Sequence, residues 1–477
     1  MDGANPSPTS PLPDGGSFRD WDGRVFVEDG RILRALSARA VEDWEALAAS
    51  ELFRAFTGNG MLVGTEPAGE ATLAALQAAD PEGAWAGALV HERLPFVSYP
   101  YEWSFSMLKD AALLQLKLTA AALGEGLTLK DATPYNVQWR GSQPVFIDVG
   151  SFERVRPGEP WAGYRQFCEL YLYPLLLEAY RGVPFQPLLR GRIDGLPPTE
   201  FRALFSLRDA LRRGMLRHVF LHAALDRRNA GRTGEVKSEL GEAGFDTKLV
   251  AANVAQLEHL VGRLRARTTV SDWRDYRTTC SYGPDEAATK DDFVRRALAH
   301  RRRRLVWDLG CNDGRYARLA AGGSDFVVAL DSDRVLVDDL YTKLREAGDH
   351  SVLPLVVDLT DPSPAVGWRN RERRALLERD RPDLVLCLAL VHHLSISANV
   401  PLREVVEWLR GMSCEVVVEF PDRTDPMVER LLAAKREESH PDYDRDRFER
   451  LLQERFDVAD QARLPTGTRS LYFLRPR

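Results

Sequence analysis

The sequence predicts an α/β protein of two domains. The C-terminal one is built on a parallel sheet with helices on both faces, and it is preceded by a domain of α+β type. Three observations lead there. At 477 residues the chain exceeds what one ordinary hydrophobic core serves. From about residue 268 onward, short apolar runs alternate with helical segments, the rhythm of parallel strands joined by crossover helices. Acids recur at the ends of those runs, and glycines follow the first of them, where open parallel sheets bind ligands.

Bulk properties narrow the function classes. Hydrophobic residues make up 44% and charged residues 28%, an ordinary globular balance. A net charge of −6 lends no support to nucleic acid or a membrane surface as partner. The cysteines are Cys168, Cys280, Cys311, Cys387 and Cys414, and no two have CxxC spacing. Neither a zinc site nor a disulfide framework is indicated, and scattered thiols fit a reducing cytoplasm. No apolar stretch approaches the ~20 residues that cross a bilayer.

Residues 1–18, rich in Pro, Gly and Ser, predict a disordered leader. Arg24 to Ser37 reads as a hairpin turned at Asp29-Gly30. Ala38 to Phe56 has helical periodicity, and Met61 to Thr65 and Ala88 to Pro95 are candidate strands. Glu102 to Leu123 reads as a long helix closed by Gly124 and Gly126. Val137–Trp139 and Val145–Ile147 flank an Arg140-Gly141 turn, and Trp161 to about Arg265 is mostly helical in pattern.

Within residues 19–267 one constellation carries chemistry. Asp131 is followed five residues later by Asn136, and twelve residues after that by Asp148-Val-Gly150. This resembles the kinase catalytic-loop and metal-binding order, which implies that Asp131 would orient a hydroxyl while Asn136 and Asp148 hold magnesium against phosphates. The pattern resembles protein-kinase-like and aminoglycoside-phosphotransferase-like proteins over about 130 residues. The resemblance implies ATP and magnesium as ligands. It also places Arg34 where such folds carry a lysine, with Glu51 on the following helix to pair with it. No glycine-rich loop covers the phosphates, and arginine replaces the lysine, so a pseudokinase-like or substrate-presenting module is the competing expectation. Asp131 as a turn cap and Asp148 as a plain strand end are the structural alternatives.

Residues 268–477 form the second expected domain. Its strand-like runs are Leu305–Asp308, Phe326–Asp331, Val352–Asp358, Leu384–Leu388 and Val416–Phe420. The basic run Arg301 to Arg304 just before them reads as a solvated helix end, with a phosphate site as the alternative. The first run ends in Asp308, and Gly310 and Gly314 then permit a tight turn into a helix, with the backbone open to close approach by a ligand. The DLGxNxG pattern lacks the third glycine of the dinucleotide fingerprint, and suits a ligand without phosphates and with an amino-acid end.

The segment VWDLGCNDG resembles the first motif of class I S-adenosylmethionine-dependent methyltransferases, over about 200 residues of the chain, and implies their Rossmann-like fold. It implies that Asp308, Gly310 and Gly314, with Cys311 and Asn312 between them, surround the methionine part of the cofactor. Asp331 matches the acid that grips the ribose hydroxyls, with Asp333 a poorer candidate. Asp358, with Leu359 beside it, matches the acid near the adenine amine. Helix capping alone poorly explains Asp308, Asp331 and Asp358 at successive strand ends, 23 and 27 residues apart. No metal is expected in this domain.

Methyl transfer is an in-line displacement at a sulfonium, so the protein must align an acceptor and, for a hydroxyl, remove its proton. His392 and His393 follow the fourth run, as a similar pair does in many small-molecule methyltransferases, and an imidazole titrating near pH 6.5 would serve as base. His392 is the preferred candidate, against packing or capping roles for either ring. Glu419 ends the fifth run and points to the same cleft on strand-end logic, a hydrogen bond to loop backbone being as natural a fate. Trp273, Tyr276, Tyr282 and Lys290 form an aromatic-rich approach with one cation. The (D/N)PPY tetrad of many amino-methylating nucleic-acid enzymes is absent. The expected acceptor is a hydroxyl, amine or carbon of a metabolite, sugar or natural product.

Overall fold

The computed structural model describes residues 10–156, 158–228, 247–267, 284–436 and 439–477. Trp273, Tyr276, Tyr282 and Cys280 lie outside the described residues, as do residues 1–9 of the expected leader and the boundary near 268. Residues 10–18 belong to the fold, which corrects the expected leader. β1 (Leu12–Pro13) pairs with β2 (Gly23–Glu28), and Asp14 accepts a hydrogen bond from Arg374 at 2.5 Å.

β2 and β3 (Arg31–Ser37) form the expected hairpin, and the turn needs the positive φ of Asp29 (46°) and Gly30 (81°). With β4 (Thr65–Pro67) and β5 (Trp85–His91) they make an antiparallel sheet ordered β1-β2-β3-β5-β4. The helix expected after β3 is two helices, Ala38–Ala49 and Glu51–Gly58. Ser50 breaks it: its hydroxyl accepts the Phe53 amide at 3.0 Å and so caps a new helix. A buried helix, Phe105–Gly124, follows, capped by Ser104. Then β6 (Leu127–Leu129) pairs with β9 (Phe152–Arg154), and β7 (Val137–Arg140) with β8 (Gln143–Phe146). The described residues beyond, to about Arg263, are mainly helical.

The C-terminal part is a seven-stranded Rossmann-like sheet ordered β12-β11-β10-β13-β14-β16-β15. The strands are β10 (Arg303–Leu309), β11 (Ser324–Asp331), β12 (Val352–Val356), β13 (Leu384–Cys387), β14 (Glu415–Pro421), β15 (Phe456–Arg463) and β16 (Arg469–Pro476). β10 to β14 are mutually parallel, whereas β16 runs antiparallel between β14 and β15. The final hairpin was not anticipated from the sequence. β10 lies at the centre with β11 and β13 beside it, so strand order reverses there, and such a switch point opens a crevice at the carboxyl ends.

Alternate residues of each strand feed two apolar layers. Val306, Val327 and Leu386 face Phe293, Val294 and Ala317 of the helices Pro284–Ala299 and Arg315–Ala321. Leu305, Trp307 and Val328 join the other layer with residues of the helices Leu402–Gly411 and Arg445–Arg455. That second layer continues into the N-terminal part without interruption. Phe96 meets Trp307 edge-on at 5.9 Å, and Trp139 meets Tyr341 at 5.5 Å. One shared core therefore joins the two parts.

The basic run is only partly solvated. Arg303 is fully buried, donating to the Leu298 carbonyl at 2.9 Å and to Glu415 at 2.7 Å, because it already belongs to β10. Among the described residues no helix is long and apolar enough to cross a membrane.

Candidate functional site

A cavity of about 390 Å³ opens at the carboxyl ends of β10 to β13, a size suited to a small ligand. Its wall includes Gly310, Asn312, Asp331, Asp358, Leu359 and His393 from the sequence prediction. It also includes Ser332, Thr360, Leu388, Leu390 and Leu394, which sequence reasoning missed. Serine, threonine and leucine at turn positions have no local signature that separates wall from packing.

The glycine turn is built by backbone. Gly310 and Cys311 donate their amides to the Leu330 carbonyl at 2.8 and 3.0 Å, which ties the turn to β11. Gly310 has φ of 71°, and a Cβ there would sit 3.3 Å from the Leu390 side chain across the cavity mouth. Gly314 has another role. A Cβ there would lie 2.5 Å from Leu340, so this glycine lets the helix Arg334–Ala347 pack, and it does not line the cavity. Cys311 is buried behind the turn.

Asp331 holds the next loop in shape. Its Oδ2 accepts the Asn312 amide at 2.8 Å, and its Oδ1 accepts the Asp333 amide at 2.9 Å. Asp333 in turn caps the helix Arg334–Ala347 through the amides of Val335 and Leu336, which explains it without any ligand role. Asp358 is exposed, and one of its oxygens, Oδ1, accepts both the amide (2.9 Å) and the hydroxyl (2.7 Å) of Thr360. Leu359, Leu390 and Leu394 supply apolar wall between the polar groups.

Asp308 is buried behind the cavity, with one carboxylate oxygen lacking a hydrogen-bond partner among the described residues. Burial pushes its pKa from 3.8 up to about 7, with Lys290 opposing the shift. The folded protein therefore keeps a proton that the unfolded chain has released between about pH 4 and 7, and stability falls as pH rises through that window. Urea denaturation at pH 5, 6 and 7 should give a steeper decline for wild type than for Asp308→Asn, by at most ~1.4 kcal/mol per pH unit. Parallel declines would mean that Asp308 is already ionised in the fold.

The histidine pair is arranged differently from expectation. His393 lines the cavity, whereas His392 is fully buried, with neither ring nitrogen hydrogen-bonded among the described residues. The rings lie 4.1 Å apart, and the chain continues into a wide π-type turn, His393–Ser397, that turns His393 outward. Neither titrates near 6.5. Burial first, then the charges of His393 and Arg469, hold His392 well below it, and burial with Arg469 lowers His393 to about 4.

Glu419 is also enclosed and does not line the cavity. It lies 2.6 Å from Lys290 and 3.2 Å from Arg469, and Arg469 grips Asp425 with two nitrogens at 2.6 and 3.0 Å. All four groups are buried, so this is a balanced polar core beneath the histidines. Arg469 lies on the unanticipated β16, and nothing local marks it.

A second polar constellation lies in the N-terminal part. Asp148 forms an ion pair with Arg34 at 2.9 Å through Oδ1 and accepts a hydrogen bond from the Asn136 amide nitrogen at 3.1 Å on Oδ2. Gly150 makes room for the arginine, since a Cβ there would lie 2.9 Å from it. Burial first, then the charge of Asp148, raises the pKa of Asp131. Glu51 does not join this group. It is the first residue of the helix that Ser50 starts, its side chain is 90% exposed, and among the described residues its ion-pair contact is with Arg54 at 3.9 Å. The small cavity beside Lys130 and Gly150, about 10 Å³, holds roughly one water.

No family model matches the chain. It is 35% identical to the nodulation protein NoeA of Rhizobium meliloti (strain 1021) over 462 residues, covering 96% of this chain and 94% of that protein. Among solved structures it is similar to N-methyltransferase NodS from Bradyrhizobium japonicum WM9 in complex with S-adenosyl-L-homocysteine. That match has 11% identity and a TM-score of 0.32, over 44% of this chain and 93% of that one. It is also similar to magnesium protoporphyrin IX methyltransferase from Synechocystis PCC 6803 with bound S-adenosylhomocysteine, at 17% identity and TM-score 0.30, over 43% and 93% of the two chains.

Proposed function

The chain belongs to the family of the nodulation protein NoeA, and we propose that its activity is S-adenosylmethionine-dependent methyl transfer to a small-molecule acceptor. Charge carries the reading. The described residues that line the cavity include the carboxylates Asp331 and Asp358 and neither lysine nor arginine. A dinucleotide's pyrophosphate needs free amides at the glycine turn, and here those of Gly310, Cys311, Asn312 and Asp313 are already donated to Leu330, Asp331 and Asn312. A sulfonium nucleoside carries positive charge and no phosphate, so the same wall attracts it.

In this reading Asp331 takes the ribose hydroxyls with lone pairs left over by the Asn312 and Asp333 amides. Asp358 offers Oδ2 to the adenine amine, and Leu359, Leu390 and Leu394 cover the ring. When bound, the cofactor supplies an electrophilic methyl group on sulfur. His393 faces the acceptor. Being neutral at physiological pH, it accepts a hydrogen bond and aligns the acceptor more than it drives deprotonation. Calorimetric titration with S-adenosylhomocysteine should give saturable binding, and titration with NAD none. The opposite pair of traces would reverse the reading.

For the N-terminal part, the antiparallel sheet, the long helix and the Asp131–Asn136–Asp148 cluster support a kinase-like scaffold. The Arg34–Asp148 ion pair favours one that does not turn over ATP, because magnesium would have to displace the arginine. The expected calorimetric trace with ATP and magnesium is flat. Magnesium-dependent ATP binding that is lost in Asp148→Ala would instead establish a bifunctional protein.

A further inference from the structure

Both loops that bring carboxylates to the cavity are tied to the N-terminal part, and through neighbouring helices. The Asp331–Asp333 turn runs directly into the helix Arg334–Ala347. Its first residue, Arg334, meets Glu178 of the helix Tyr173–Arg181 at 2.5 Å. Further along, Asp338 accepts the amide and hydroxyl of Ser106 at 2.8 and 3.0 Å, and Tyr341 donates to Asp110 at 2.7 Å. The other loop runs through Asp358 and Thr360 to Asp361. There Arg190, on the helix Gln186–Gly191, donates to both carboxylate oxygens at 3.0 and 2.7 Å and to the backbone carbonyl at 3.0 Å.

We infer that Arg190 and Glu178 are positioning residues of the cofactor cavity, so the N-terminal part completes the adenosine end of the site that the C-terminal sheet begins. The inference rests on the cofactor reading above. Arg190 is the sharper case, because three hydrogen bonds to Asp361 and a fourth to the Pro362 carbonyl, all from one planar group, fix the loop three residues beyond Asp358 in both distance and direction. Asp361 is largely exposed, so the pair adds little to global stability. Its geometric effect is therefore separable from folding.

The test is calorimetry with S-adenosylhomocysteine on the full chain, with the urea midpoint measured in parallel. Arg190→Ala and Asp361→Ala should each weaken binding roughly 3- to 10-fold at an unchanged midpoint, and the double variant no further than Arg190→Ala alone. Arg190→Lys should recover little, because an ammonium cannot hold two oxygens in one plane. If wild type binds and Arg190→Ala binds equally well, or if the two losses add, the clamp is refuted while the cofactor reading stands. If wild type gives a flat trace, the cofactor reading falls and the clamp with it.

Discussion

Asp331→Ala should weaken S-adenosylhomocysteine binding on the order of 100-fold, the largest ligand effect expected from any single change in the cavity wall. Two losses combine. The ligand loses a charged acceptor for its hydroxyls, and the turn loses the carboxylate that holds the Asn312 and Asp333 amides at 2.8 and 2.9 Å. Asp331→Asn separates them, since one amide oxygen still accepts a hydrogen bond while the charge is gone. An intermediate affinity is expected for it. Burial raises the Asp331 pKa, opposed by those amide bonds, so affinity should strengthen as rising pH ionises the group. Wild-type affinity in the alanine variant would remove Asp331 from the cofactor site.

Glu102→Ala should destabilise the whole chain by about 3–5 kcal/mol, because it strands a buried guanidinium. Arg379, on the short helix Leu376–Arg379 between β12 and β13, donates to both Glu102 oxygens at 2.7 Å, and both side chains are essentially fully buried. Glu102 also accepts the Tyr99 amide at 2.9 Å, and the Tyr99 ring lies 4.2 Å from the guanidinium. This pair sits where the N-terminal part meets the sheet, so the loss should appear in both parts together, in a urea transition followed by tryptophan fluorescence and by circular dichroism. Replacing both residues, Glu102→Gln with Arg379→Met, should cost less than Glu102→Ala alone, since no uncompensated charge remains. An N-terminal transition that moves while the sheet's does not would mean that the two parts fold independently.

Much of the C-terminal part was legible because its signals are local. Five apolar runs, a DLG turn with positive-φ glycines, and acids at the carboxyl ends of successive strands each occupy a few neighbouring residues, and the structure gathers Gly310, Asn312, Asp331, Asp358 and Leu359 around one cavity. The last hairpin was less legible. β15 alternates exposed and half-buried residues over a polar sequence, and its pairing with β16 is a tertiary event. In the N-terminal part the Asp131, Asn136 and Asp148 spacing reads directly. Glu51 misled because one capping serine restarts the helix and sends that side chain to solvent.

Local chemistry therefore determined the element types, the glycine turn and the identity of the strand-end acids, since each depends on backbone freedom and side-chain period within a few residues. Tertiary contact alone decided which histidine faces the cavity, and that Glu419 spends its charge on Lys290 and Arg469. It likewise decided that Arg190 holds a loop 171 residues away in sequence. The physical reason is that an ion pair or a burial choice is made between surfaces brought together by folding, and an arginine bound for such a pair has the same neighbours in the chain as one left in water.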